Sequence, residues 1–248
     1  MRGFFGVLAV FLLAASFASA VPADDRGPLD KMVFIHYKKG HGPSVDAYAK
    51  GGGSGTKAPL CYGYISAGTR WKVNPAEPYV VNPANGDGLG EAAIASVLSG
   101  SMNKWDSLVP YSIFGPGSVD YSARIPVDAS GDISDGKNTV QFEALSGSGT
   151  IAVTTVWGYF YGPRTFKELL EWDLRFNDFY TWGDAAADPA KMDLDGIATH
   201  ELGHSAGMGD IYDPACSAVT MYGYADNGET NKRTLEAPDR AGLIKLYS

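Results

Sequence analysis

The chain is short of cysteine, of histidine and of charge. Its 248 residues hold two cysteines and four histidines, and charged side chains make up 19%. Two cysteines permit a single disulfide and no more. Low charge combined with 31 glycines suits a loop-rich exported domain rather than a helical bundle. Beyond the first residues no apolar run approaches the roughly 18 needed to cross a bilayer, so no membrane-spanning helix is expected there. The charge that is present leans acidic, with a net value of -8. Such a surface argues against nucleic acid or an anionic membrane as partner.

Residues 1–20 read as a signal peptide. Arg2 supplies the positive start, Phe4 to Ala15 an apolar core, and Ala18-Ser19-Ala20 a small-residue cleavage site. An uncleaved membrane anchor is the alternative. Removal of Arg2 with the signal takes the net charge from -8 to -9. The remainder of the chain suffices for one good-sized domain with an extension. That extension, residues 21–66, is poorly patterned. Lys38-Lys39-Gly40-His41-Gly42-Pro43 and Gly51-Gly52-Gly53-Ser54-Gly55 have turn and linker composition, with one short strand at Met32–Tyr37. It is expected to be a tethered arm or a removable propeptide, with His36 and His41 solvent-exposed and free of metal.

From residue 67 onward the pattern firms into a domain running to residue 248. Tyr79-Val80-Val81, Thr139–Leu145, Ile151–Phe160 and Glu171–Asn177 are rich in β-branched and aromatic residues and read as strands. Glu91–Trp105 carries Ile94, Val97, Leu98, Met102 and Trp105 on one helical stripe. A second helix is expected from the N-cap Asp193 to Ala206, with Leu194, Ala198 and Leu202 inward, and a third from Pro238. This order implies an α/β (α+β) fold, one twisted mixed sheet covered by helices.

The chemistry concentrates in His200-Glu201-Leu202-Gly203-His204. Two histidines four apart project from one helical face and can grip a single zinc ion, with Glu201 beside the open position. Gly207 can turn left-handed, end the helix and bring Asp210 round as a third, oxygen ligand. Three protein ligands leave a fourth position for water, the layout of a hydrolytic rather than a structural site. A chance pentad is the bland alternative.

Together with Val219-Thr220-Met221-Tyr222 and the stretch from Leu235 to Tyr247, this motif resembles the metzincin clan of zinc proteases, and within it the matrixins. The resemblance covers residues 70 to 248. It implies a tight turn at Met221 under the metal, a cleft along an edge strand, and Glu201 as general base in the hydrolysis of protein or peptide substrates by a secreted monomer. The chain departs from the matrixin pattern in having Asp210 for the third histidine, Gly223 for a common proline, and no Pro-Arg-Cys-Gly switch. An oxygen ligand adds negative charge and makes a metal-bound water less acidic than three imidazoles would. A non-catalytic metzincin-like surface module is the rival. Cys61 and Cys216 are expected to form a disulfide; the alternative is that Cys61 caps the zinc. Asp128, Asp132 and Asp135 lie among glycines in a loop that suits structural calcium, as in matrixins, or else form an ordinary solvated turn.

Overall fold

The computed structural model describes residues 26–42, 60–72, 76–147 and 149–248. The signal peptide and the Gly51–Gly55 stretch lie outside the described residues. Seven strands make one mixed sheet: β1 (Asp30–Lys38), β2 (Glu77–Val81), β3 (Phe114–Val119), β4 (Asn138–Glu143), β5 (Thr150–Tyr159), β6 (Glu168–Asn177) and β7 (Tyr224–Ala225). Their order is β7-β1-β5-β6-β4-β2-β3. Strands β3, β2, β4 and β6 run parallel; β5 is antiparallel to β6, and β1 is antiparallel to β5. The central strands β4, β5 and β6 are buried almost throughout, as β-branched and aromatic strands covered on both faces must be.

Among the described residues three α-helices accompany the sheet: α1 (Glu91–Asp106), α2 (Leu194–Ser205) and α3 (Ala237–Tyr247). The stripe expected on α1 is buried at Ile94, Leu98, Met102 and Trp105. Trp105 also donates its indole N–H to the Thr199 carbonyl at 2.8 Å, tying α1 to α2. Pro238 stands in the first turn of α3, and Leu243, Leu246 and Tyr247 pack inward. The α/β fold expected from the sequence is the fold observed.

The short strand expected at Met32–Tyr37 is present as Asp30–Lys38 and belongs to the main sheet. One element departs from the pattern read along the chain. Strand β3 was hidden by its own composition, Phe-Gly-Pro-Gly-Ser-Val. It is an edge strand, where proline and glycine are tolerated. Its glycines let it approach β2: a Cβ on Gly115 would sit 2.6 Å from the Ala76 carbonyl oxygen.

Asp173, at the middle of β6, is wholly buried. One oxygen accepts from the Thr139 amide at 2.8 Å and the other has no hydrogen-bond partner. Burial pushes its carboxyl up to about 8. Folding therefore takes up a proton between about pH 4 and pH 8, and stability falls as pH rises through that window. Asp173→Asn imitates the protonated form. Its Tm is expected to match that of the parent near pH 4 and exceed it by on the order of 5 °C at pH 8.5. Calorimetry at the two pH values checks this, and a pH-independent difference would refute it.

Candidate metal centre

The site is built on α2. Asp193 caps its start, accepting from the Gly196 amide at 2.8 Å. At its end the carbonyls of Ser205 and Ala206 accept from the Trp71 indole and the Tyr247 hydroxyl, at 2.7 and 2.9 Å. Gly207 follows with φ of 102°, in the left-handed region where a side chain would be strained. The reversal carries the chain back so that Asp210 faces the helix. Met221 lies beneath, with its sulfur against Gly203; a Cβ there would collide with it. A parallel bridge between Ile211 and Tyr222 holds the Asp210 and Met221 segments side by side.

His200 and His204 are fully buried and point at one another and at Asp210. Their Nε2 atoms stand 3.2 Å apart, and Asp210 Oδ1 is 3.1 Å from the first and 3.5 Å from the second. Each Nδ1 lies against a backbone carbonyl, Thr220 at 2.7 Å and Met208 at 2.9 Å. A carbonyl only accepts, so each Nδ1 carries the proton and each neutral imidazole turns a lone pair inward. Asp210 Oδ1 has no hydrogen-bond donor. With both imidazoles neutral, three lone pairs converge, which is repulsive unless a cation sits there. A tetrahedral zinc at about 2.0–2.1 Å from its ligands sets them about 3.3–3.4 Å apart. The triangle has that size, and the residues fit the metal.

Without a cation the surrounding charges compete: burial works to lower His204, but the Asp210 and Glu201 carboxylates outweigh it and raise it. Burial holds His200 down at about 4, so its imidazole is neutral. Burial works against an ionised Asp210, but His204 and His200 opposite outweigh it and hold the carboxyl well below its usual range. Burial also pushes Glu201 up to about 7. Its Oε2 accepts from the Thr154 hydroxyl at 2.6 Å, and its Oε1 lies 3.0 Å from His36 Nδ1. Beside β1 a cleft of about 340 Å³, lined by Phe34, Tyr37, Tyr64, Asp210 and Tyr212, leads to the site.

His36 corrects the expectation of an exposed side chain: its exposure is 0%. The basic, glycine-rich residues that follow suggested solvent, but β1 pairs with β5 and turns Phe34 and His36 toward α2. Phe34 stacks on the His204 ring at 4.2 Å, and the His36 ring lies tilted against that of His200 at 4.0 Å. His41 is exposed, as expected. Thr154 and Lys232 were also missed; Lys232 is buried and donates to the Thr220 and Tyr222 carbonyls, bracing the Met221 turn. Cys61 and Cys216 are disulfide-bonded with Cα atoms 5.3 Å apart, so Cys61 does not cap the site. Among the described residues, Asp128, Asp132 and Asp135 do not form a carboxylate cluster. Asp128 accepts from Ser130, Asp132 from Thr155 and Arg175, and Asp135 from the Lys137 amide.

Comparison with known proteins agrees with this geometry. Residues 150–248 match the family model described as Matrixin, of the M10 peptidases. Human matrix metalloproteinase-25 is 35% identical over 75 residues, covering 30% of this chain and 13% of that protein. Human matrilysin is 36% identical over 75 residues, covering 30% of this chain and 26% of its own length. The chain therefore spans about a quarter or less of the curated relatives it matches. The matched stretch, which holds the whole of α2 and the Met221 turn, is similar to the matrixins.

Proposed function

We propose that the protein is an exported, zinc-dependent endopeptidase. The observation that carries this reading is the convergence of three ligand atoms, from His200, His204 and Asp210, with a carboxylate on the intervening turn. His200, His204 and Asp210 would hold the metal. When bound, zinc supplies Lewis acidity toward a carbonyl oxygen and lowers the pKa of water. Glu201 takes the proton from the attacking water, and its protonated form returns that proton to the leaving amine as the C–N bond breaks. A carboxyl raised to about 7 is matched to that exchange near neutral pH. Met221 gives the site an apolar floor, and the Tyr222–Arg233 segment borders the position after the cleaved bond.

Export follows from the signal-like start and agrees with the Cys61–Cys216 disulfide, a bond that persists in oxidising compartments. Among the described residues no helix is long and apolar enough to cross a membrane. The substrates would be protein or peptide, acted on by a monomer; calcium in the Asp128–Asp135 loop is a separate proposal that a calcium titration would decide.

The test is metal content together with hydrolysis of casein and a mixed peptide library. One zinc per chain is expected, lost to chelator along with the cleavage and regained with added zinc. A chain that takes up no zinc sinks the reading.

A further inference from the structure

This inference rests on the zinc reading of the site and concerns its third ligand. An imidazole offers a metal one lone pair. A carboxylate offers two oxygens and can grip an ion with one of them or with both. Asp210 stands where the matrixin pattern has a histidine, so the number of its oxygens that face the metal has to be set. A second oxygen would take up the position that a hydrolytic site leaves to water.

The two oxygens of Asp210 have different surroundings. Oδ1 faces Nε2 of His200 and of His204 at 3.1 and 3.5 Å and has no hydrogen-bond partner. Oδ2 accepts from the Tyr212 hydroxyl at 3.0 Å. The tyrosine is placed by the backbone. The Ile211 amide donates to the Met221 carbonyl at 2.8 Å, and the Gly223 amide donates to the Ile211 carbonyl at 3.0 Å. This register sets the Tyr212 ring against Gly223. A Cβ on Gly223 would stand 2.5 Å from Cε1 and 2.9 Å from Cζ of that ring, and 3.1 Å from Asp210 Oδ1. A proline there, the residue common in matrixins, carries the same Cβ. The ring also meets Tyr224 edge-on, with centroids 5.3 Å apart.

We propose that Tyr212 is a positioning residue for the metal: its hydroxyl holds Asp210 to a single-oxygen grip and keeps the fourth position open for water. Two departures from the matrixin pattern, Asp210 and Gly223, are then one adaptation. The aspartate supplies the ligand, the tyrosine aims it, and the glycine makes room for the ring. The hydrogen bond also draws negative charge from the carboxylate, offsetting part of what an oxygen ligand adds.

Tyr212→Phe keeps the ring and removes the hydroxyl. The test loads the full chain with zinc or with cobalt alone. Zinc affinity, read by competition with a chromophoric chelator, is expected to fall about 10–100-fold in the variant, the usual cost of removing a partner of a metal ligand. Cobalt reports the grip through its visible absorption, which is intense when four-coordinate and weakens as a fifth ligand joins. The parent should give the intense spectrum and Tyr212→Phe the weaker one. Gly223→Ala, which pushes the ring aside, should weaken the spectrum too, and should add no further loss of zinc affinity to Tyr212→Ala. An unchanged cobalt spectrum in Tyr212→Phe overturns the proposal whatever the affinity, and leaves the zinc reading standing. A parent that binds neither metal sinks the zinc reading and this inference with it.

Discussion

Replacing Glu201 by Gln is expected to lower peptide hydrolysis by about 10²–10⁴-fold, the usual worth of a positioned general base. Zinc content should not change, because Glu201 is not one of the three groups that converge between α2 and Asp210. The substitution is nearly isosteric, so α2 and its packing against Trp105 are kept. What is lost is the ability to receive a proton. An amide also presents a donor to either Thr154 or His36, where a carboxylate accepts from both. The loss should fall on kcat, with KM nearly unchanged, since Glu201 acts on the attacking water and not on the bound peptide backbone. A variant with turnover close to that of the parent would remove Glu201 from the mechanism.

Replacing Cys61 and Cys216 by Ser is expected to lower Tm by on the order of 10 °C. The disulfide joins residues separated by 155 positions. Losing a native disulfide from an exported domain costs about 2–5 kcal/mol, and each kcal/mol moves Tm by about 2–4 °C in a chain of this size. The location adds to the effect. Cys216 is buried in a cluster with Val219, Tyr222 and Tyr224, next to the Met221 turn, while Cys61 precedes Gly63–Tyr64, which pairs with Met208–Gly209 behind the metal site. Two polar hydroxyls would replace the bond inside that cluster. Scanning calorimetry of the double variant against the parent decides it; equal Tm values would show that the bond contributes no stability.

What could be read from the sequence was local. The spacing of His200 and His204, the cap at Asp193 and the reversal at Gly207 each follow from the conformation of a few consecutive residues. The stripe on α1 and the apolar strands β4 to β6 follow from periodicity over a dozen residues at most. His36 and Thr154 could not be found that way. They reach Glu201 from 165 and 47 positions away, through pairing of β1 with β5 that no local pattern encodes. The partners of Asp132 were hidden for the same reason. Arg175 and Thr155, which engage Asp132, arrive from β6 and β5. Strand β3 failed for a different cause: its glycines serve close approach to β2, and composition alone reads them as a turn.

The disulfide divides the chain topologically. Cys61 and Cys216 close a covalent ring that contains β2 to β6, α1 and α2, and with them His200, His204 and Asp210. Strands β1 and β7 and helix α3 lie on the segments flanking that ring. A backbone break inside the ring therefore leaves the two pieces joined through sulfur, and the nicked chain would run as one band without reductant and as two with it.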